Sequence, residues 1–125
     1  MTCIAEYMTK VPHSIKPNSS VLDAKKRMFE LSVTHLPVLS GGKTIGILSE
    51  RDILYLKALE SVDLATVKVG DAMTPDPISV QSDQSLKEAC RIMRENKVGS
   101  ILIMNEQKLA GIFTYNDALE YLANH

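Results

Sequence analysis

Two stretches of the chain, 65 residues apart, decide the fold: Gly46-Ile-Leu-Ser49-Glu-Arg-Asp52 and Gly111-Ile-Phe-Thr114-Tyr-Asn-Asp117. Outward from them, a shift of the chain by 65 residues lays Met8–Leu54 on Met73–Leu119 without a gap. Repeat architectures show this kind of self-similarity at a fixed period, and solenoids need several short repeats. Two long copies therefore indicate an internal duplication that forms a paired unit.

Both copies have the same order of predicted elements. A short apolar strand precedes a helix that opens at Ser20 or Ser85, where the hydroxyl and an acidic residue three positions later can both satisfy free N–H groups. Two β-rich runs follow, joined in the first copy by Gly41-Gly42, which is typical of a hairpin. A second helix begins at Glu50 or Tyr115. The repeat is βαββα, which predicts an α+β fold class with mixed-sheet α/β character.

The predicted organisation places one repeat at residues 1–60, a linker at residues 61–68 and a second repeat at residues 69–125. With 125 residues, the chain can bury about two-thirds of its unfolded surface, which is enough for a core without disulfide or metal cross-links. The hydrophobic fraction of 45% and charged fraction of 23% exclude an intrinsically disordered chain.

The charge balance and the apolar runs narrow the possible partners. Fourteen basic and fifteen acidic residues give a net charge of −1, which argues against nucleic acid and anionic membranes, because both attract a basic excess. The longest apolar runs, Ile53–Leu56 and Ile101–Met104, are far too short to span a bilayer. Since the N-terminal segment also lacks a secretory pattern, we predict a cytoplasmic protein without membrane insertion.

The residue types that carry catalysis or bind metals are present but are not spaced for either. The three histidines, His13, His35 and His125, lack metal-ligand spacing, and the chain has neither a P-loop nor a nucleophile elbow. Cys3 and Cys90 do not form a C-x-x-C motif, and we expect Cys90 to be a small buried thiol. The sequence predicts no enzyme activity, no metal site and no catalytic cofactor.

The two motifs that open this section permit two interpretations. In the first, Ser49 with Asp52 and Thr114 with Asp117 cap the final helix of each copy. In the second they bind a ligand, because a strand-to-helix crevice exposes N–H groups and a positive helix end. A hydroxyl and a carboxylate one turn apart can hold the vicinal hydroxyls of a ribose. The residues alone leave both interpretations open.

These motifs resemble a tandem cystathionine-β-synthase (CBS) domain pair, also called a Bateman module, which ends each repeat with G-h-h-[ST]-x-x-D. Met8-Thr9…Pro12 and Met73-Thr74…Pro77 are similar to the start of the family's repeat, and Leu36-Pro37-Val38 is similar to its L-P-V element. The second copy departs from this element with Ile101-Leu102-Ile103. The resemblance covers about Ile4 to Leu122. It implies a pseudo-twofold pair of repeats with two clefts that bind adenosine-containing molecules.

The resemblance also implies a role for residues in each copy. The motif hydroxyls and carboxylates would hold ribose, the residues around Ile15 and Val80 would flank adenine, and the bends His35–Pro37 and Gly99–Ile101 would close the pockets. Alternatively, Ile15 and Val80 are core residues, and the glycines of the motifs only allow close strand packing. The full predicted ligand-binding set is Ser14, Ile15, His35, Leu36, Pro37, Ser49, Arg51, Asp52, Ser79, Val80, Gly99, Ser100, Ile101, Thr114, Asn116 and Asp117.

By the same resemblance, the expected function is that of a stand-alone regulatory module. It would bind an adenine nucleotide of the AMP, ADP or ATP class as a regulatory ligand in the clefts between its repeats, and regulate a protein that the sequence does not identify. The alternative is a ligand-free dimerisation or docking scaffold. A homodimer is expected because the last helix of each copy carries more apolar residues than internal pairing can cover: Ile53, Leu54, Leu56, Leu59, Leu119 and Leu122.

Charge distinguishes the two copies around their predicted pockets. Four basic or potentially basic residues of the first copy, His13, Lys16, His35 and Arg51, align with uncharged residues, Ile78, Gln81, Ser100 and Asn116. Phosphate recognition depends on such cations. The first copy is therefore predicted to prefer a phosphorylated ligand, and the second to accept a less charged nucleoside or to bind weakly, unless these charges belong to an ordinary solvated surface.

Overall fold

The structure, a computed structural model, describes residues 2–10 and 13–125. Pro12, which the repeat alignment pairs with Pro77, lies outside the described residues. The order of elements confirms two tandem βαββα repeats. After a single 3₁₀ turn at Ile4–Glu6, the elements are β1 (Thr9–Lys10), α1 (Val21–Leu31), β2 (His35–Ser40), β3 (Lys43–Ser49), α2 (Glu50–Lys57), α3 (Val69–Ala72), β4 (Thr74–Pro75), β5 (Ser79–Gln81), α4 (Leu86–Asn96), β6 (Ser100–Asn105), β7 (Lys108–Thr114) and α5 (Tyr115–Asn124).

The chain folds into two compact units. The first-copy unit spans His13–Pro77, and the second-copy unit joins residues 2–10 to Ile78–His125. In the first-copy unit β4 pairs with β3, and in the second-copy unit β1 pairs with β7, both antiparallel. Each sheet therefore ends on a short strand from the segment that precedes the other copy.

The sheet of each unit combines an antiparallel hairpin with a parallel neighbour. In the first-copy unit the strand order is β2-β3-β4, and Ile15 forms a parallel bridge to Val38. In the second-copy unit the order is β1-β7-β6-β5, and β5 runs parallel to β6. The register of the hairpin shifts at Val38/Leu39 in one unit and at Ile103/Met104 in the other, which are equivalent positions. The duplication therefore preserves even the local irregularity of the sheet.

The serines that predict α1 and α4 are their N-caps. The backbone N–H of Asp23 donates to Ser20 Oγ at 3.0 Å, and that of Glu88 donates to Ser85 Oγ at 3.1 Å. The carboxylate half of each predicted capping box is wrong, since within the described residues neither acidic side chain accepts from its serine N–H. At Glu88 the reason is competition, because its carboxylate accepts from Arg91 instead.

Each unit has its own hydrophobic core. Ile15 is buried with Val21 and Leu36 in the first-copy unit, and Val80 packs against the cluster around Phe113 in the second. Ile15 is thus a core residue, as the alternative interpretation has it, and Val80 is a partly buried residue at the edge of its core. Cys90 is half-buried, and burial raises the pKa of its thiol, which keeps it protonated. Among the described residues, no helix has the length and apolar character needed to cross a membrane.

Candidate functional site

In the first-copy unit, the motif lies where β3 gives way to α2. Asp52 N–H donates to Ser49 Oγ at 3.1 Å, and Ser49 N–H donates to Asp52 Oδ2 at 2.9 Å. This reciprocal pair is a complete capping box, so the capping interpretation is confirmed. The next N–H of the turn, that of Glu50, donates to the carbonyl of Thr34 at 2.8 Å. Ser49 and Asp52 are both half-buried.

The equivalent turn of the second-copy unit joins β7 to α5 and is more enclosed. Thr114 N–H donates to Asp117 Oδ2 at 2.9 Å, and the Thr114 hydroxyl donates to the same oxygen at 3.2 Å. Tyr115 N–H donates to the Gly99 carbonyl, which repeats the Glu50 bond of the first copy. Thr114 and Asp117 are each only 8% exposed. The polar groups of this turn therefore make more hydrogen bonds within the protein than those of the turn at Ser49.

A further bond reaches Asp117 from outside the motif. The hydroxyl of Thr9, on β1, donates to Asp117 Oδ1 at 3.1 Å. Thr74 on β4 is the equivalent residue of the other unit, yet across residues 2–10 and 13–125 no hydrogen bond joins it to Asp52. The sequence aligns the two threonines but carries no signal of this difference, because it depends on how each side chain is placed.

The predicted adenine-flanking residues lie on the parallel neighbour of each hairpin. Ile15 N–H donates to the Pro37 carbonyl at 3.0 Å, and Leu39 N–H donates to the Ile15 carbonyl at 3.0 Å. In the second-copy unit, Ser79 and Val80 pair with Leu102 and Ile103. In each unit, backbone hydrogen bonds thus hold the predicted adenine-flanking segment against the strand that contains the predicted pocket bend.

Each unit contains the predicted site residues of one copy. His35 lies opposite Ser49 in the β2–β3 register, and Ser100 lies opposite Thr114 in the β6–β7 register. Arg51 and Asn116 are exposed in the first turns of their helices. Six residues of the predicted set are buried, and any ligand contact from the four apolar ones would come through the backbone: Ile15, Leu36, Pro37 and Ile101, with Thr114 and Asp117 as the two polar ones.

The motif glycines have a packing role. A Cβ atom on Gly111 would lie 2.7 Å from the carbonyl oxygen of Thr9, and one on Gly46 would lie 2.9 Å from that of Thr74. Real Cβ atoms do not approach other atoms this closely, so the pairing of β1 with β7 and of β4 with β3 requires glycine at these positions. The expectation of close strand packing is confirmed, and each motif glycine lies where a neighbouring strand pairs with its own strand.

A groove on the first-copy unit was not predicted from the sequence. It has a volume of about 460 Å³ and lies between α1 and α2, where Phe29 and Leu54 contribute apolar surface. Lys25 and Lys57 also line it, and the neighbouring Lys57 ammonium lowers the pKa of Lys25. The available sequence signal was Phe29, an aromatic residue on the polar side of α1 that is 87% exposed.

The chain belongs to the CBS domain family, whose model matches residues 4–58 and 69–124. The two matches coincide with the two copies of the βαββα repeat, and together they cover most of the chain. The resemblance on which the expectations about the site depend is thus confirmed at the level of the family.

The chain is similar to proteins of different kinds and lengths. The chain is 30% identical over 111 residues to MJ1232 of Methanocaldococcus jannaschii, and 31% identical over 113 residues to an inosine-5'-monophosphate dehydrogenase of Korarchaeum cryptofilum. These alignments cover 88% and 90% of the chain but only 36% and 22% of those relatives. A solved structure of CBSX2, a chloroplastic protein of Arabidopsis thaliana, in complex with AMP matches with a TM-score of 0.81. That match has 28% identity and covers 99% of this chain and 98% of the other.

Proposed function

We propose that the chain is a regulatory module that binds an adenine nucleotide of the AMP, ADP or ATP class and has no catalysis of its own. The observation that carries the proposal is the turn at Ser49 and Asp52, which holds a hydroxyl and a carboxylate one helical turn apart at the start of α2. The AMP complex of CBSX2, whose solved chain matches this one over 98% of its length, supports the same ligand class.

The chemistry of the turn suits a ribose. An ionised carboxylate is acceptor-only, and Asp52 Oδ2 is occupied by Ser49 N–H while Oδ1 has no bond to any described residue. Oδ1 is therefore the acceptor for a ribose hydroxyl, and the Ser49 hydroxyl can donate to the ring or to the second hydroxyl. Backbone groups of Ser14 and Ile15 would flank the adenine, as the family resemblance implies.

The phosphate side of the proposed site uses the cations of the first copy. His13, Lys16, His35 and Arg51 all belong to the first-copy unit. A phosphate accepts charge-assisted hydrogen bonds from such groups, and these are stronger than bonds between neutral groups. The second-copy unit offers Gln81, Ser100 and Asn116 at the matching positions, so it is the weaker candidate for a phosphorylated ligand.

A nucleotide panel tests the proposal. Thermal unfolding of the full chain should shift upward with AMP, ADP or ATP, because a ligand at 100 times its Kd adds about 2.7 kcal/mol of stability, or about 10 °C for a chain of this size. GMP and inorganic phosphate are the controls for the base and for the anion. If the melting temperature stays unchanged with every adenine nucleotide, the alternative, a ligand-free scaffold, replaces the proposal.

We also propose that two copies of the chain associate through the exposed helix faces. Phe29 and Leu54 line the groove of the first-copy unit and are 87% and 55% exposed. On α5, Leu119 and Leu122 lie one turn apart and are 63% and 69% exposed. Apolar surface of this kind on neighbouring helix turns is typical of an interaction site.

Light scattering tests this association. At micromolar concentration the chain should have twice its 13.8 kDa mass, and Leu54→Glu should shift it to the monomer, because an unpaired carboxylate cannot be buried in an apolar contact without a large cost. Tyr55→Glu is the matched control, since Tyr55 is exposed on the same helix but does not line the groove. A wild-type monomer, or equal effects of both substitutions, would contradict the proposed interface.

A further inference from the structure

The two motif carboxylates differ in the number of bonds that they already accept. Asp117 accepts three hydrogen bonds from side chains and N–H groups: two on Oδ2 from Thr114 and one on Oδ1 from the Thr9 hydroxyl. Asp52 accepts one such bond from the described residues, from Ser49 N–H to Oδ2. Asp117 is also buried, with 8% exposure, which restricts the access of a ligand to its carboxylate.

The backbone does not explain this difference. Thr9 pairs with Ile112, and Thr74 pairs with Ile47, so the two threonines have equivalent places in their sheets. The motif hydroxyls differ in the same direction as the carboxylates. Thr114 donates its hydroxyl hydrogen to Asp117, whereas Ser49 makes no such bond to Asp52 within the described residues. In the second-copy unit, both groups that could hold a ribose are engaged inside the protein.

We propose that Thr9 closes the second-copy turn to ligands, so that the chain binds one nucleotide, at Ser49 and Asp52. The inference rests on the proposed function and adds a residue that sets its stoichiometry. Because Asp117 is buried, a ribose hydroxyl would have to take the place of the Thr9 hydroxyl on Oδ1, and a hydrogen bond to a charged group stabilises by about 1.5–3 kcal/mol. This corresponds to an affinity at least about tenfold weaker than the same site would have without Thr9.

Calorimetric titration with AMP separates the two turns. Wild-type chain should bind one AMP, and Asp52→Asn should weaken this binding at least about tenfold, because a neutral amide oxygen is a weaker acceptor than a carboxylate. In the Asp52→Asn background, Thr9→Val should restore binding, because valine keeps the shape of threonine but has no hydroxyl to donate. Thr9→Ser in that background is the first control. It should not restore the binding of AMP, since serine retains the hydroxyl donor. Thr74→Val is the matched control at the equivalent position of the other unit.

The outcomes of the titration distinguish a failure of the role of Thr9 from a failure of the proposed function. Two equivalent AMP sites in the wild-type chain would overturn the role of Thr9 and leave the proposed function intact. A wild-type stoichiometry of one with no recovery in a folded Asp52→Asn/Thr9→Val chain, checked by its melting curve, would also overturn it. If that double variant does not fold, Thr9→Val with Asp52 intact should raise the stoichiometry of AMP from one to two, and a stoichiometry that stays at one in this variant would overturn the role of Thr9. A wild-type chain that binds no AMP would contradict the proposed function itself.

Discussion

Replacement of Gly111 by alanine is expected to destabilise the chain by about 1–3 kcal/mol, because the new methyl group overpacks a site that has no room for it. The Cβ atom would lie 2.7 Å from both the Thr9 carbonyl oxygen and the Met8 sulfur. The sulfur can move, but the oxygen belongs to the backbone of β1, which pairs with β7 at this point. Thermal unfolding followed by circular dichroism should show a fall of about 5–15 °C.

Gly41→Ala is the control for this substitution. A Cβ atom on Gly41 meets nothing within 4 Å, so its cost comes only from the left-handed backbone, with φ of 60°. That strain is about 1 kcal/mol. A melting temperature for Gly111→Ala equal to or above that of Gly41→Ala would show that β1 does not pack against β7 as described.

The loss of Asp52 is expected to remove most of the affinity for AMP. The Asp52→Ala variant lacks the proposed acceptor for a ribose hydroxyl, and a hydrogen bond to a charged group is worth about 1.5–3 kcal/mol, which corresponds to an affinity loss of about 10- to 150-fold. Asp117→Ala should leave AMP affinity largely intact, since the first copy carries the cations and the accessible carboxylate. Isothermal calorimetry with AMP, and with adenosine to isolate the phosphate contribution, measures both.

Stability should change in the opposite order to affinity. Asp117 is 8% exposed and accepts from Thr9 and Thr114, whereas Asp52 is half-buried and accepts only from Ser49 among the described residues. Asp117→Ala therefore leaves more buried donors without a partner, and its melting temperature should fall further than that of Asp52→Ala. Equal losses of AMP affinity, or a greater loss for Asp117→Ala, would contradict the assignment of the nucleotide to the first copy.

The sequence predicted the elements well because the signals for them are local. The hydroxyls of Ser20 and Ser85 act on N–H groups only three residues away, and a hairpin between apolar runs is equally short in range. The prediction that the Glu88 carboxylate accepts from the N–H of Ser85 was wrong, for a reason that the capping-box pattern does not contain. Arg91, one turn later on the same helix, competes for the same oxygens, and the sequence does not say which bond wins.

The family resemblance and the repeat alignment name the residues of the candidate site, but they do not say which hydrogen bonds those residues make. The pairing of Thr9 with Thr74 is visible in the sequence, as is that of Asp117 with Asp52. Thr9 donates a hydrogen bond to Asp117, whereas Thr74 makes no such bond to Asp52 among the described residues. This difference depends on side-chain placement across more than 100 residues of chain. Similarly, the glycine of each motif was visible, while the strand that requires it comes from the segment before the other copy.

The exchange of end strands bears on how such a duplication could arise. A polypeptide with one copy would have its own leading strand and its own hairpin. In this fold, however, the edge of each hairpin pairs with the strand that precedes the other copy. A single-copy ancestor would therefore have needed a second molecule to complete its sheet, at an equilibrium set by concentration. Fusion of two copies makes the encounter intramolecular, with a local concentration in the millimolar range for a short connection. Once fused, neither copy can be lost without opening an edge in the other.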